Sequence, residues 1–226
     1  VFLAALLVSG TALAAQDRPA LPPVSDQFLL DQLELGEEIE TRADGDLNGD
    51  GNPDTVFVVA SPDERHLYAV LSYRGEVDMG HEPAGNFKLE PDPLGPAALT
   101  IDKGVLTIRD LTGGTTALSA TYRYRAATTK AGPRMRLIGL DATVYSRTYA
   151  HDGNEMSWNV ATGDTITSLL KVSETGDRGY DKLYPRKFKR PVQTIYMEDT
   201  PGAEDELISV TKSEIEPRDQ AAATPE

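Results

Sequence analysis

Between Asp46 and Asp54 the sequence reads DLNGDGNPD, with an oxygen-bearing side chain at each alternate position and glycines at Gly49 and Gly51. Donors at this spacing suit a hard cation. Calcium takes about six to eight oxygens at roughly 2.4 Å, and alternate side chains of a tightly wound loop turn toward one centre. Counting from Asp46, the candidate ligands are Asp46, Asn48 and Asp50 by side chain, Asn52 by its backbone carbonyl and Asp54 as the closing acid. Gly51 falls where such a loop turns sharply. A register from Asp44 would put Asn48 fifth and lacks a good closing acid, so the Asp46 register is preferred. An EF-hand would need Glu at the twelfth position, which is Phe57. The competing reading is a solvated acidic turn, the usual meaning of Asn-Gly and Asp-Gly pairs.

The pattern D-x-[DN]-x-D-G-x-x-D running straight into TVFVVA resembles the calcium loops of FG-GAP and VCBS-type β-proteins over Asp44 to Val59. The resemblance implies a structural Ca²⁺. That family repeats the loop once per propeller blade, whereas this chain has one copy and DGNE at Asp152 is too short for a second. It therefore carries over the loop, not the multi-blade architecture.

Other chemistry finds less footing. His66, His81 and His151 have no helical zinc-protease spacing, and HEPAG at His81 lacks the second ligand. There is no G-x-S-x-G elbow and no phosphate-cradling G-x-x-x-x-G-K-[ST] loop; SVTK, Ser209 to Lys212, stands without the companion motifs of S-x-x-K enzymes. Acid pairs for glycoside hydrolysis depend on spatial separation, which no sequence spacing selects. Trp158, in NEMSWNVATGD, reads as half-buried on a sheet.

Charge and composition narrow the setting. Net charge is −14, so non-specific nucleic-acid or anionic-membrane binding is disfavoured and a cationic partner suits the chain. Asp26 to Asp54 holds ten acids against Arg42 alone, whereas RGYDKLYPRKFKR, Arg178 to Arg190, holds six bases against one acid. That basic run reads as a solvated strand edge or an internal partner for the acidic N-terminal third. No cysteine is present, which excludes disulfides, thiolate zinc sites and thiol nucleophiles, and with export points to a bacterial periplasm.

These residues must be positioned by elements. Residues 1–15, ending in Ala-Leu-Ala, read as a secretory signal that the chain enters part-way, with cleavage after Ala14 or Ala15; no later stretch is long enough to span a bilayer. The protein is then periplasmic or secreted. Residues 16–24 read as a Pro-rich linker, 25–210 as a single β-rich domain and 211–226 as a disordered tail. Ser25 caps one short N-terminal helix with Phe28, Leu29 and Leu33 on one face and Gly36 to stop it.

From Asp54 onward alternating, β-branched runs predict strands at 55–60, 66–74, 97–102, 104–110, 117–126, 134–149, 155–162, 164–173 and 192–198. In TYRYRA, Tyr122 and Tyr124 share one face and Arg123 and Arg125 the other. Short Gly-containing connections without helical crossovers predict a mainly β fold, an antiparallel meander closing as a sandwich, a bent sheet or a small propeller.

The order of signal, helix, single acidic loop and then LTIRD, YRYRA, RLIGLD and SWNVATGD resembles small exported bacterial proteins. Some single-loop proteins of that kind inhibit lysozyme-like peptidoglycan hydrolases; no inhibitory residue is carried over. The resemblance implies a non-catalytic calcium-binding β-domain, possible partners being basic peptidoglycan hydrolases. The alternatives are a carboxylate-dependent cell-wall or polysaccharide enzyme and a structural surface or assembly component.

Overall fold

The computed structural model describes residues 20–174 and 179–216; the signal reading and the end of the tail reading lie outside them. Within the described residues the chain is mainly β, built as two antiparallel sheets without a closed barrel. The first sheet holds β1 (Glu38–Gly45), β2 (Asp54–Ala60), β3 (Arg65–Arg74) and β4 (Met79–Leu89) in that order.

The second sheet holds β5 (Ala98–Asp102), β6 (Val105–Gly113), β7 (Thr116–Thr129), β8 (Gly132–Ser146), β9 (Gly153–Asn159), β10 (Asp164–Val172) and β11 (Tyr180–Lys189), again each beside its sequence neighbour. Short turns allow only antiparallel neighbours, so both sheets are meanders as the turn chemistry requires.

Alternation decides which face each strand buries. Val56 and Val58 of β2, Leu67, Ala69 and Leu71 of β3 and Phe87 of β4 form one core with Leu106, Ile108, Tyr122, Tyr124, Leu137, Leu140 and Trp158 of the second sheet. The two sheets therefore pack as layers of a sandwich, each buried large side chain contributing about 1.5–3 kcal/mol.

The helix at Ser25 forms, but only over Asp26–Leu30 (α1), with the Ser25 hydroxyl accepting from the Phe28 amide at 3.2 Å. Leu29 is buried while Phe28 is 58% exposed, so the expected three-residue apolar face is not used. The longer helix is α2 (Ala203–Val210), continued by a π-helical turn at Thr211–Ile215. Ala203, Leu207 and Val210 join the main core, and Ile215 is buried too, so order extends past residue 210. At the other end Leu21 and Val24 are buried, and the Leu21 and Val24 amides bond Asn52 and Thr55, so the Pro-rich stretch is docked from there on.

Three strands were not foreseen and one expected strand is absent. Residues 192–198 hold no strand: they carry an isolated bridge from Tyr196 to Arg136 and a 3₁₀ turn at Met197–Asp199. Strands β4 and β11 each contain a proline, Pro83 and Pro185, near a register shift against the neighbouring strand, and each lies at a sheet edge. A proline cannot donate to the ladder, and edges and bulges are where a strand accommodates one. Strand β1 is acid-rich and half-buried, without clean alternation.

Candidate functional site

The DLNGDGNPD segment is the connection of the β1–β2 hairpin, with Gly45 and Asp54 paired at its base. Its side chains wind it from within. Asp46 accepts from the Gly49 amide at 2.6 Å and the Gly51 amide at 3.0 Å; Asn48 Oδ1 accepts from the Asp50 amide at 3.0 Å, and Asp50 Oδ1 from the Asn52 amide at 2.7 Å. These are successive side-chain-to-backbone turns of the kind Asp and Asn make. Gly49 and Gly51 have φ of +83° and +81°, a region that glycine enters without a Cβ penalty.

Asp54 occupies a different environment. Its carboxylate is fully buried and accepts four hydrogen bonds, from the Leu47 amide (2.7 Å), the Asn48 amide (3.3 Å), the Ser72 amide (2.7 Å) and the Ser72 hydroxyl (2.9 Å). Four acceptor positions is about what a carboxylate offers. Burial pushes its pKa above the ordinary carboxylate value, against the pull of those donors. Asp54 thus ties the loop to β3, 18 residues away in sequence. Ser72 carried no local signal in the sequence; the Asp–Ser partnership exists only because β2 pairs with β3.

Asn52 is buried, its Oδ1 accepting from the Leu21 amide at 2.8 Å, which leaves its carbonyl as the donor considered for metal. Asn48 Nδ2 donates to the Ser72 carbonyl at 2.9 Å. The five candidate ligands therefore fall into two groups. Asn48 and Asp50 are exposed on the loop and Asp46 is half-buried beneath it, whereas Asn52 and Asp54 are anchored inward.

Among the described residues no three His, Asp or Glu side chains converge as a metal-holding group. The donor set nevertheless fits a hard cation in one arrangement: Asp46, Asn48 and Asp50 oxygens, the Asn52 carbonyl and water, with Asp54 holding the loop in shape. All are oxygens, as Ca²⁺ prefers.

Asn48 and Asp50 also line a cleft of about 410 Å³, whose other walls are Ser72, Tyr73, Arg74 and Glu82 of the first sheet and residues 126–128, 132 and 133 of the β7–β8 hairpin. Among the described residues much of the charge of the N-terminal third is uncompensated, both on this loop and toward the opposite end of the hairpin, where Glu38 pairs with Ala60. Arg42 is held internally by Asp26, Asp44 and the Val24 carbonyl. No cation among the described residues pairs with Glu34, Glu37, Glu38, Asp46 or Asp50.

The basic run pairs elsewhere than with this acidic third. Arg186 pairs with Glu214, Arg190 with Glu206, Lys182 with Glu155 and Lys189 with Asp164. The reason is topological: β11 is the far edge of the second sheet, beside β10 and the C-terminal helix, while β1 belongs to the other sheet. Trp158 is only 2% exposed, not half-buried, and Arg190 lies over its ring at 3.9 Å.

Deep in the sandwich, Arg65 donates to Glu40 at 2.7 and 2.8 Å, to Asp110 at 3.0 and 3.1 Å and to the Glu90 carbonyl at 2.8 Å. Glu40 also accepts from the Ala97 amide at 2.7 Å. Burial raises the Glu40 pKa, but the Arg65 bonds and the Ala97 amide outweigh it and hold the carboxyl below its ordinary value. Both carboxyl groups are thus committed to one guanidinium, a tie between sheets. The histidines are engaged separately: His66 with Glu64, His81 with the Pro22 carbonyl and His151 with Thr116.

Comparison with protein-family models, curated proteins and solved structures found no match.

Proposed function

We propose that this chain is a calcium-holding, non-catalytic binding protein acting outside the cytoplasm, and that its partner is a basic protein of the lysozyme-like peptidoglycan-hydrolase type. The observation that carries this reading is the β1–β2 hairpin, where Asp46 winds an oxygen-lined loop that sets Asn48 and Asp50, both exposed, at the edge of a cleft. Asp46 and Asp50 on the loop, and Glu34, Glu37 and Glu38 toward the other end of the hairpin, have no cation of their own among the described residues. The field of this region therefore favours a cationic partner and speeds encounter with one. A cation held by Asp46, Asn48, Asp50 and the Asn52 carbonyl would fix the loop's shape in a chain without disulfides.

The carboxylate-enzyme alternative draws less support, because the acids that meet inside the fold, Glu40 and Asp110, are locked on Arg65. The assembly alternative is weakened by β11, which carries Lys182, Lys187, Lys189 and Pro185 at the free edge, the devices that deter strand addition.

The test is an inhibition assay with lysozymes of different type, run with calcium and with EDTA. The expected result is inhibition that weakens when Glu34, Glu37 and Glu38 are changed together to Gln. Absence of both inhibition and complex formation with any peptidoglycan hydrolase would end this reading.

A further inference from the structure

Strands β6, β7 and β8 turn their apolar alternates inward, so their other alternates form an outward face. Register places Thr107 beside Arg123, Arg109 beside Thr121, Arg125 beside Arg136 and Ala127 beside Arg134. Paired residues project to the same side of a sheet, and Tyr122, Tyr124, Met135 and Leu137 occupy the opposite, buried side. Five arginines thus share one face of a chain whose net charge is −14.

Two of the five are satisfied internally. Arg123 reaches Asp141 at 2.6 Å, and Arg134 pairs with Glu198 at 2.8 Å while stacking on Tyr196 at 3.8 Å. Arg109, Arg125 and Arg136 have no acidic partner among the described residues, and Arg136 Nε is shielded from water without any acceptor. Arg125 and Arg136 stand directly opposite one another, an arrangement of like charges that works against the pairing unless an anion lies between them.

We propose that this face binds a linear anionic polysaccharide through the guanidinium groups of Arg109, Arg125 and Arg136. Guanidinium forks match the planar carboxylates of such a chain, one charge to each arginine. The same face carries the hydroxyls of Thr107 and Thr121, which suit sugar hydroxyls, while the Ser157 hydroxyl donates to Asp141. No free aromatic ring stands beside the arginines: Tyr196 is already covered by Arg134, and Tyr145, at the far end of β8 opposite Ala117, is half-buried, so the base-stacking platform of a single-stranded nucleic-acid site is missing.

A folded protein partner would want an apolar centre, and the exposed Ile166 of this face sits out on β10, away from the arginines of β6, β7 and β8. The overall negative charge does not forbid the contact, since at physiological salt charges beyond about 8 Å are largely screened and the local arginines dominate. None of the three arginines lines the cleft beside the acidic loop, and failure of this site would leave the hydrolase-binding reading standing.

The experiment is binding of the full chain to polygalacturonate by calorimetry over a series of salt concentrations. Wild type should bind with an affinity that falls as salt rises, and Arg125→Ser/Arg136→Ser should weaken binding by about tenfold or more at low salt. Lys88→Ser, on the first sheet, should bind as wild type. If the double variant does not fold, Arg125→Lys keeps the charge, removes the fork and should still weaken binding measurably. No binding by wild type, no effect of the arginine changes, or equally tight arginine-dependent binding of oligothymidylate would overturn the assignment.

Discussion

Replacing Asp54 by Ala should destabilise the protein strongly in the complete absence of metal, whereas replacing Asp50 should matter mainly when calcium is present. The difference follows from where the two carboxylates sit. Removing the Asp54 carboxylate strands the Leu47 amide, the Ser72 amide and the Ser72 hydroxyl in a fully buried site, while the Asn48 amide is closer to solvent. Each orphaned buried donor costs about 1–3 kcal/mol. Relaxation and water entry reduce the sum, and single substitutions seldom exceed about 4–5 kcal/mol, so about 4 kcal/mol is expected.

For a chain of this size that lowers the melting temperature by roughly 8–16 °C. Asp54→Asn should do nearly as much harm, because its NH₂ group would face donors. Asp50→Ala removes one partly buried hydrogen bond from the Asn52 amide, about 0.5–1 kcal/mol. Calcium at a hundredfold excess over its Kd should raise wild-type stability by about 2.7 kcal/mol and leave Asp50→Ala unmoved. The assay is thermal unfolding followed by circular dichroism in EDTA and in graded calcium. An Asp54→Ala protein that melts with wild type in EDTA would refute the anchor role, and a full calcium shift in Asp50→Ala would refute the ligand role.

Asp110→Asn leaves part of the Arg65 fork buried and unpaired and should cost about 3–5 kcal/mol in urea unfolding, with clear non-additivity toward Glu40→Gln in a double-mutant cycle. The Glu40 carboxyl has a lowered folded pKa, so its stabilising contribution is complete above the ordinary value of 4.5 and is lost as pH falls through the folded value; Glu40→Gln should flatten that acid limb of the unfolding curve. Asp54 acts in the opposite sense: its folded pKa is raised, so protonation as pH falls toward the ordinary 3.8 favours the native state, and Asp54→Ala should remove that gain. Arg190→Ala uncovers the ring of the single tryptophan, Trp158, and should change its fluorescence intensity and cost about 1–2 kcal/mol.

Much of the second sheet was legible because its strands obey a period of two. YRYRA states the outcome directly, with both tyrosines in the core and both arginines outside. The strands that escaped notice are those in which local chemistry opposes the element: Pro83 and Gly85 interrupt β4, and Pro185 with a left-handed Tyr184 interrupts β11. Only the neighbouring strand, which absorbs the irregularity as a register shift at an edge, makes them strands at all. Helix α2 could have been found: Gly202 precedes Glu204, Asp205 and Glu206 in a first turn, and Ala203, Leu207 and Val210 recur at helical spacing.

The acidic loop shows the limit of such reading more sharply. Five alternating oxygens suggest five equal ligands, yet the fold treats them unequally, because Asp54 enters β2 beside β3 and is fully buried there, while Asp46 is half-buried and Asp50 stays at the surface. The deciding partner, Ser72, comes from β3, and no spacing within the motif could announce it. The same holds for Arg65, whose two carboxylates lie 25 residues before it and 45 after it. A charge so deeply buried is tolerable only when its partners are placed with care, so the triad penalises any slip of β1, β3 or β6 against one another by stranding an ion. In a sandwich without disulfides, Arg65 thus fixes how the sheets meet, and Asp54 fixes how the first of them presents its loop.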